Sequence, residues 1–96
     1  HLGSFHAIAM CNMAEAAMGI LAEAAVPAKT HRWIPKGMTV EYLKIARTDL
    51  RAVATLDPAQ QYGKTGFDLV VPVQVYDRKD QLVFRADIRL WVSPKK

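Results

Sequence analysis

Two periods divide this chain. From about Phe5 to Val26, apolar side chains fill nearly every position of a helical wheel, as in Ala7-Ile8-Ala9-Met10-Cys11 and Ala16-Ala17-Met18-Gly19-Ile20-Leu21. Ala, Met and Leu favour helix, and a helix that is apolar all round is expected to be enclosed by other structure. Ser4 suits an N-cap, and Pro27 ends the helix because the residue before proline is driven out of helical geometry. Ala28 to Gly37, punctuated by Pro35 and Gly37, reads as a loop. The period then drops to two. Met38, Val40 and Tyr42 alternate with Thr39, Glu41 and Leu43; Leu50, Ala52, Ala54 and Leu56 alternate with Arg51, Val53 and Thr55. Phe67, Leu69, Val71, Val73 and Val75 form a third such row, and Leu82, Phe84, Ala86, Ile88, Leu90 and Val92 a fourth. Alternation of this kind marks strands with one packed face, and short turns between consecutive strands make them antiparallel. Asp57-Pro58 and Asp77-Arg78-Lys79-Asp80 are breaks, and Pro72 inside the third row predicts an edge, a bulge or a local interruption. The expectation is an α+β fold: one long central helix wrapped by a curved antiparallel sheet of about four strands.

Size and charge narrow the function. A chain of 96 residues with an apolar share of 51% makes one small globular domain with a marginal core, which oligomerisation would relieve. The chain opens on His1, with residues that already approach a helix. The domain, 1–96, is therefore expected to lack an N-terminal portion. Net charge is +4, but the 13 basic residues are dispersed and not interleaved with aromatics, so nucleic acid is not the expected partner. Asn12, Glu15, Gly19 and Glu23 argue against the helix as a membrane span. The single cysteine, Cys11, excludes an intrachain disulfide and fits a reducing, cytoplasmic setting. No resident metal is expected; a copper brace built on His1 with His6 or His31 is the metal alternative weighed.

Glu15 is the chemical clue, because a lone carboxylate in an apolar helix is costly unless it has a partner or a task. His1-Leu2-Gly3-Ser4-Phe5-His6-Ala7, with Glu15 nine residues after His6, Gly19 beyond it and the strand Val40-Glu41-Tyr42-Leu43-Lys44-Ile45-Ala46, resembles the hot-dog fold thioesterases of the phenylacetate-degradation type. The likeness covers most of the chain and is nearer to an uncharacterised branch of that superfamily, because Ala7-Ile8 stand where those enzymes carry Gly-Gly.

The resemblance implies an acyl-CoA thioesterase-like protein that hydrolyses an acyl thioester, with coenzyme A or an acyl carrier entering as part of the substrate and no separate cofactor. Glu15 would be general base or nucleophile, and Asn12, three residues earlier on the same helix face, would orient it. His6, Ala7, Ile8 and Gly19 would line the substrate site, with unpaired amides near Ala7 and Ile8 at the helix start polarising the carbonyl. The site would lie between the subunits of a homodimer or of a dimer of dimers. Alternatives stand beside each role. Glu15 could be a buried brace to Arg85 or Arg89, Asn12 a backbone-pairing amide, and His6 a structural residue at the helix start. His31 reads as a solvated or packing loop residue. Arg32, Lys36, Arg78 and Lys79 could meet coenzyme A phosphates but are foremost surface charges. A non-catalytic acyl-binding or dimerisation module is the rival function, and a dehydratase using His6 with Glu15 is a third.

Overall fold

The structure, a computed structural model, describes residues 2–44 and 49–95, with side chains from Ile8 onward in the helix. One helix, α1 (Leu2–Ala25), precedes four strands: β1 (His31–Tyr42), β2 (Arg51–Ala54), β3 (Phe67–Tyr76) and β4 (Leu82–Pro94). The strands form one antiparallel sheet in the order β1-β4-β3-β2. The fold is α+β, as the two sequence periods imply.

The alternation sets the sheet's two faces. Leu69, Val71, Val73 and Val75 of β3 and Phe84, Ala86, Ile88, Leu90 and Val92 of β4 are buried beneath the helix. Their neighbours Asp68, Val70, Gln74, Arg85, Asp87, Arg89 and Trp91 are exposed on the outer face. The helix contributes a row at four-residue spacing, Met10, Ala14, Met18, Ala22 and Val26, all buried. Ala14 and Ala22 are wholly buried, and their small side chains let the helix axis come close to the strands. Each buried Ile, Leu, Phe or Met side chain contributes about 1.5–3 kcal/mol.

The helix is not enclosed. The molecule measures 45 × 24 × 17 Å, and its thinnest dimension is that of one helix on one sheet. Ile8 and Ile20 are 61% and 75% exposed, so one side of α1 faces away from this chain's own core. A helix that is apolar on nearly every side is read alike whether its own sheet or another chain covers it, and here its own sheet covers one side. By length and composition α1 could cross a membrane (Ile8–Ala25); in this fold it forms the cover of the core.

Two further expectations change. The helix begins at Leu2, earlier than Ser4. Residues 31–37, read as loop, belong to β1. Pro35 pairs with Leu90, and the register shifts between Pro35 and Gly37, so Lys36 is taken up as a bulge. An edge strand tolerates both features, because a missing N–H on its free side breaks no ladder. Pro72 sits where β3 loses its outer neighbour: β2 pairing ends at Ala54↔Val73, and just beyond it the Pro72 carbonyl accepts from Thr55 N at 3.1 Å.

Candidate functional site

The helix packs on β2, β3 and β4 but hardly touches β1. The inward-facing row of β1, Trp33, Met38 and Val40, is therefore only half buried, and Tyr42 at its end is half exposed. Because α1 leaves these side chains partly uncovered, an apolar strip lies open between the helix and this row. Two contacts fix its ends. Near the helix N-terminal half, the Cys11 thiol and the Tyr42 hydroxyl lie 3.5 Å apart, with the Tyr42 ring edge-on to Phe84 at 5.1 Å. That hydrogen bond, helped by partial burial and by the charge of a Cys11 thiolate, raises the Tyr42 hydroxyl above its ordinary value of 10.0. At the other end a cavity of about 220 Å³ opens between the last turn of α1 and the start of β1, lined by Glu23, Val26, His31, Arg32, Trp33 and Lys95.

Glu15 lies one helical turn from Cys11 and two turns from Glu23, on the flank beside this strip. It is exposed, against the burial that an enclosed apolar helix implies, because α1 is covered on one side only, and it belongs to none of the three ion pairs among the described residues. The brace alternative fails on geometry. Arg85 pairs with Glu41 at 2.5 Å, and Arg89 reaches Thr39 at 3.3 Å, both on the outer face of the sheet. Asn12 is exposed three residues before Glu15, and a Cβ on Gly19 would meet nothing within 4 Å, so the flank is open there.

Ala7 and Ile8, where amide donors are expected, lie within α1. With α1 starting at Leu2, only its first four N–H groups lack an intrahelical partner, and those of Ala7 and Ile8 fall inside the helical ladder. Ser4 does not cap the helix, which already includes it. Ile8 is an exposed side chain on the helix surface. The side chains of His6 and Ala7 lie outside the described ones, and His1, Ile45 and Ala46 lie outside the described residues, so the copper brace falls there too. Among the described residues no group of three or more His, Cys, Asp or Glu could hold a metal ion.

His31 is the functional-looking residue whose placement differs most from expectation. It is buried, which meets the packing alternative of its reading and not the solvated one, and it starts β1 where a loop was expected. Its Nε2 donates to the Gly63 carbonyl at 2.8 Å; Nδ1 faces Thr30 Oγ1 at 2.8 Å; its ring meets Tyr62 edge-on at 5.9 Å. Trp33, Tyr42 and Lys95 also border this strip, and the sequence alone does not mark them as site residues. The period-two spacing of His31 and Trp33 was the available signal for a strand, but Pro35 and Gly37 overrode it. Lys95 reaches across to donate from Nζ to the Ala28 carbonyl at 2.5 Å, a contact 67 residues apart that no local pattern encodes.

A helix laid on one face of a four-stranded antiparallel sheet, with an open apolar strip along one flank, defines the class. The chain belongs to the family described as a domain of unknown function, DUF4442, whose model matches residues 1–92. It is similar to the crystal structure of a structural-genomics protein, APC5556, at 53% identity and a TM-score of 0.79 over 93% of this chain and 58% of that one. It is also similar to the BH2602 protein of Bacillus halodurans, solved with CoA, at 25% identity and a TM-score of 0.65 over 82% of this chain and 49% of that one. The chain thus spans about half to three-fifths of the length of these two structures. No curated protein matches it.

Proposed function

We propose that this chain is the core of a hot-dog-type protein that binds an acyl thioester of coenzyme A and hydrolyses it. The observation that carries the reading is Glu15: a lone carboxylate at mid-helix, exposed, outside every ion pair among the described residues, and beside an uncovered apolar floor. The CoA bound to the BH2602 protein supports the substrate class. In the reaction, the Glu15 carboxylate takes a proton from water as the water oxygen bonds to the thioester carbonyl carbon. The C–S bond then breaks, the carrier leaves as thiolate and is protonated, and a free carboxylic acid remains. Asn12 is suited to orient the Glu15 carboxylate from three residues away. The exposed side of α1, with Ile8 and Ile20, suits a second copy of the chain. That copy would complete the wall of the site and supply the carbonyl-polarising donors that Ala7 and Ile8 do not. The test is a panel of acyl-CoAs with a thiol-detecting reagent. Release of thiol that falls by about 10²–10⁴ in Glu15→Gln supports the reading, and release that Glu15→Gln leaves unchanged removes Glu15 from the mechanism.

The second reading is a non-catalytic acyl-binding module, and one observation favours it: the amides of Ala7 and Ile8 are spent within the helix. Retained acyl ligand in the purified protein, with no thiol released from any thioester, selects it.

A further inference from the structure

We propose that the cavity between the end of α1 and the start of β1 receives the phosphate-bearing nucleotide end of coenzyme A. This rests on the reading of Glu15 as the reacting end of the same strip, and it concerns the opposite end.

The cavity combines two cations, Arg32 and Lys95, with a half-buried indole, Trp33, and a single carboxylate, Glu23. Its balance is positive, and neither cation belongs to an ion pair among the described residues. Lys95 donates to the Ala28 carbonyl just past the helix, which holds its ammonium at the cavity wall and offsets the negative end of the helix dipole. An Arg fork and a Lys ammonium are the side chains that bind phosphate, and a Trp face accepts a nucleobase. A purely acyl pocket would need none of the three.

Length supports the assignment. From Glu15 to Glu23 the helix advances about 12 Å at 1.5 Å per residue. The pantetheine arm, from sulfur to phosphorus, is a little over four peptide units of extended chain, roughly 15 Å. A thioester beside Glu15 therefore brings its carrier's phosphates to Arg32 and Lys95. The other cations that the sequence offered for this role are disposed elsewhere. Lys36 is bound to Asp68 at 2.9 Å and lies 5.6 Å over Trp91 on the outer face. Arg78 and Lys79 sit in the β3–β4 turn, next to the strand end where Phe84 pairs with Tyr42, far from His31.

The experiment is calorimetric titration with three probes: coenzyme A, pantetheine and adenosine 3′,5′-bisphosphate. The protein is used as wild type, Arg32→Ala, Arg32→Lys and Lys95→Met. Expected are at least tenfold tighter binding of coenzyme A than of pantetheine, measurable binding of the bisphosphate, and its weakening by about tenfold on loss of either cation. Arg32→Lys recovers part of that loss, and added salt weakens all phosphate-dependent binding. Arg32 is exposed and unpaired among the described residues, so its variants keep the wild-type melting temperature. Bisphosphate that fails to bind, or that binds both charge variants as it binds wild type, overturns the assignment. So does faster turnover of an acyl carrier protein thioester than of the matching acyl-CoA. The bisphosphate carries no thioester, so its binding stands even if Glu15→Gln turns over normally. Conversely, equal turnover of acyl-CoA and acyl-pantetheine with Glu15 essential removes this assignment and leaves the hydrolase reading intact.

Discussion

Replacing His31 with alanine tests whether the start of β1 is anchored by one buried ring. The ring makes two contacts at 2.8 Å, to Thr30 Oγ1 and the Gly63 carbonyl, and an edge contact to Tyr62 at 5.9 Å. Each hydrogen bond contributes about 0.5–1.5 kcal/mol, and the aromatic contact a similar amount. Together they give about 1.5–4.5 kcal/mol. Gly63 is exposed, so water can reach its freed carbonyl and the cost falls in the lower half, about 2–3 kcal/mol. For a domain of this size each kcal/mol lowers the melting temperature by about 4–8 °C, so His31→Ala should melt roughly 10–20 °C below wild type. His31→Phe keeps the packing and loses the hydrogen bonds, and it should fall between the two. Thermal and urea denaturation measure the totals, and hydrogen exchange should show faster opening of residues 57–66 relative to the rest of the sheet. A His31→Ala loss under about 1 kcal/mol, or uniform exchange across the molecule, refutes the anchoring.

Glu15→Gln should leave stability within about 0.5 kcal/mol of wild type because the side chain is exposed and outside the described ion pairs; a loss of about 3–5 kcal/mol in denaturant would mean a buried brace. Ala14→Leu, on the wholly buried contact row of α1, should cost about 1–3 kcal/mol by overpacking, and unchanged denaturation midpoints would contradict the close helix–sheet approach. Gly66→Val should displace the Trp91 ring, since a Cβ there would stand 2.4 Å from its Cζ2, and unshifted tryptophan emission would contradict that contact. Burial raises the Tyr62 hydroxyl above its ordinary 10.0, so the folded state keeps that proton longer than the unfolded one. Its contribution is constant below about pH 10 and destabilising as pH rises beyond it; a spectrophotometric titration that ionises Tyr62 at or below 10 contradicts this.

The helix and the alternation of β2, β3 and β4 were legible because each carries an unbroken period. The first half of β1 was not, because Pro35 and Gly37 are loop residues by local rule and strand residues only at a sheet edge with a bulge. The freedom of Glu15 was half legible. Its isolation among apolar neighbours was visible, but its exposure depends on which side of α1 the sheet covers, and a helix apolar all round carries no mark of that. The open strip itself arises from the offset of α1 away from β1, a relation between elements distant in sequence. Arg32 could be noted as a cation; its company with Trp33 and Lys95 required the β1–β4 pairing that sets His31 opposite Pro94.

The free border of β1 has a further consequence. Twelve residues of strand that no other strand among the described residues pairs on one side are a template on which identical molecules can polymerise. Pro35 and the Lys36 bulge interrupt that template near its middle. Straightening the strand with Pro35→Val and deletion of Lys36 would leave an uninterrupted ribbon, and the product to look for is a fibrous or precipitating species in light scattering and not a better-folded monomer.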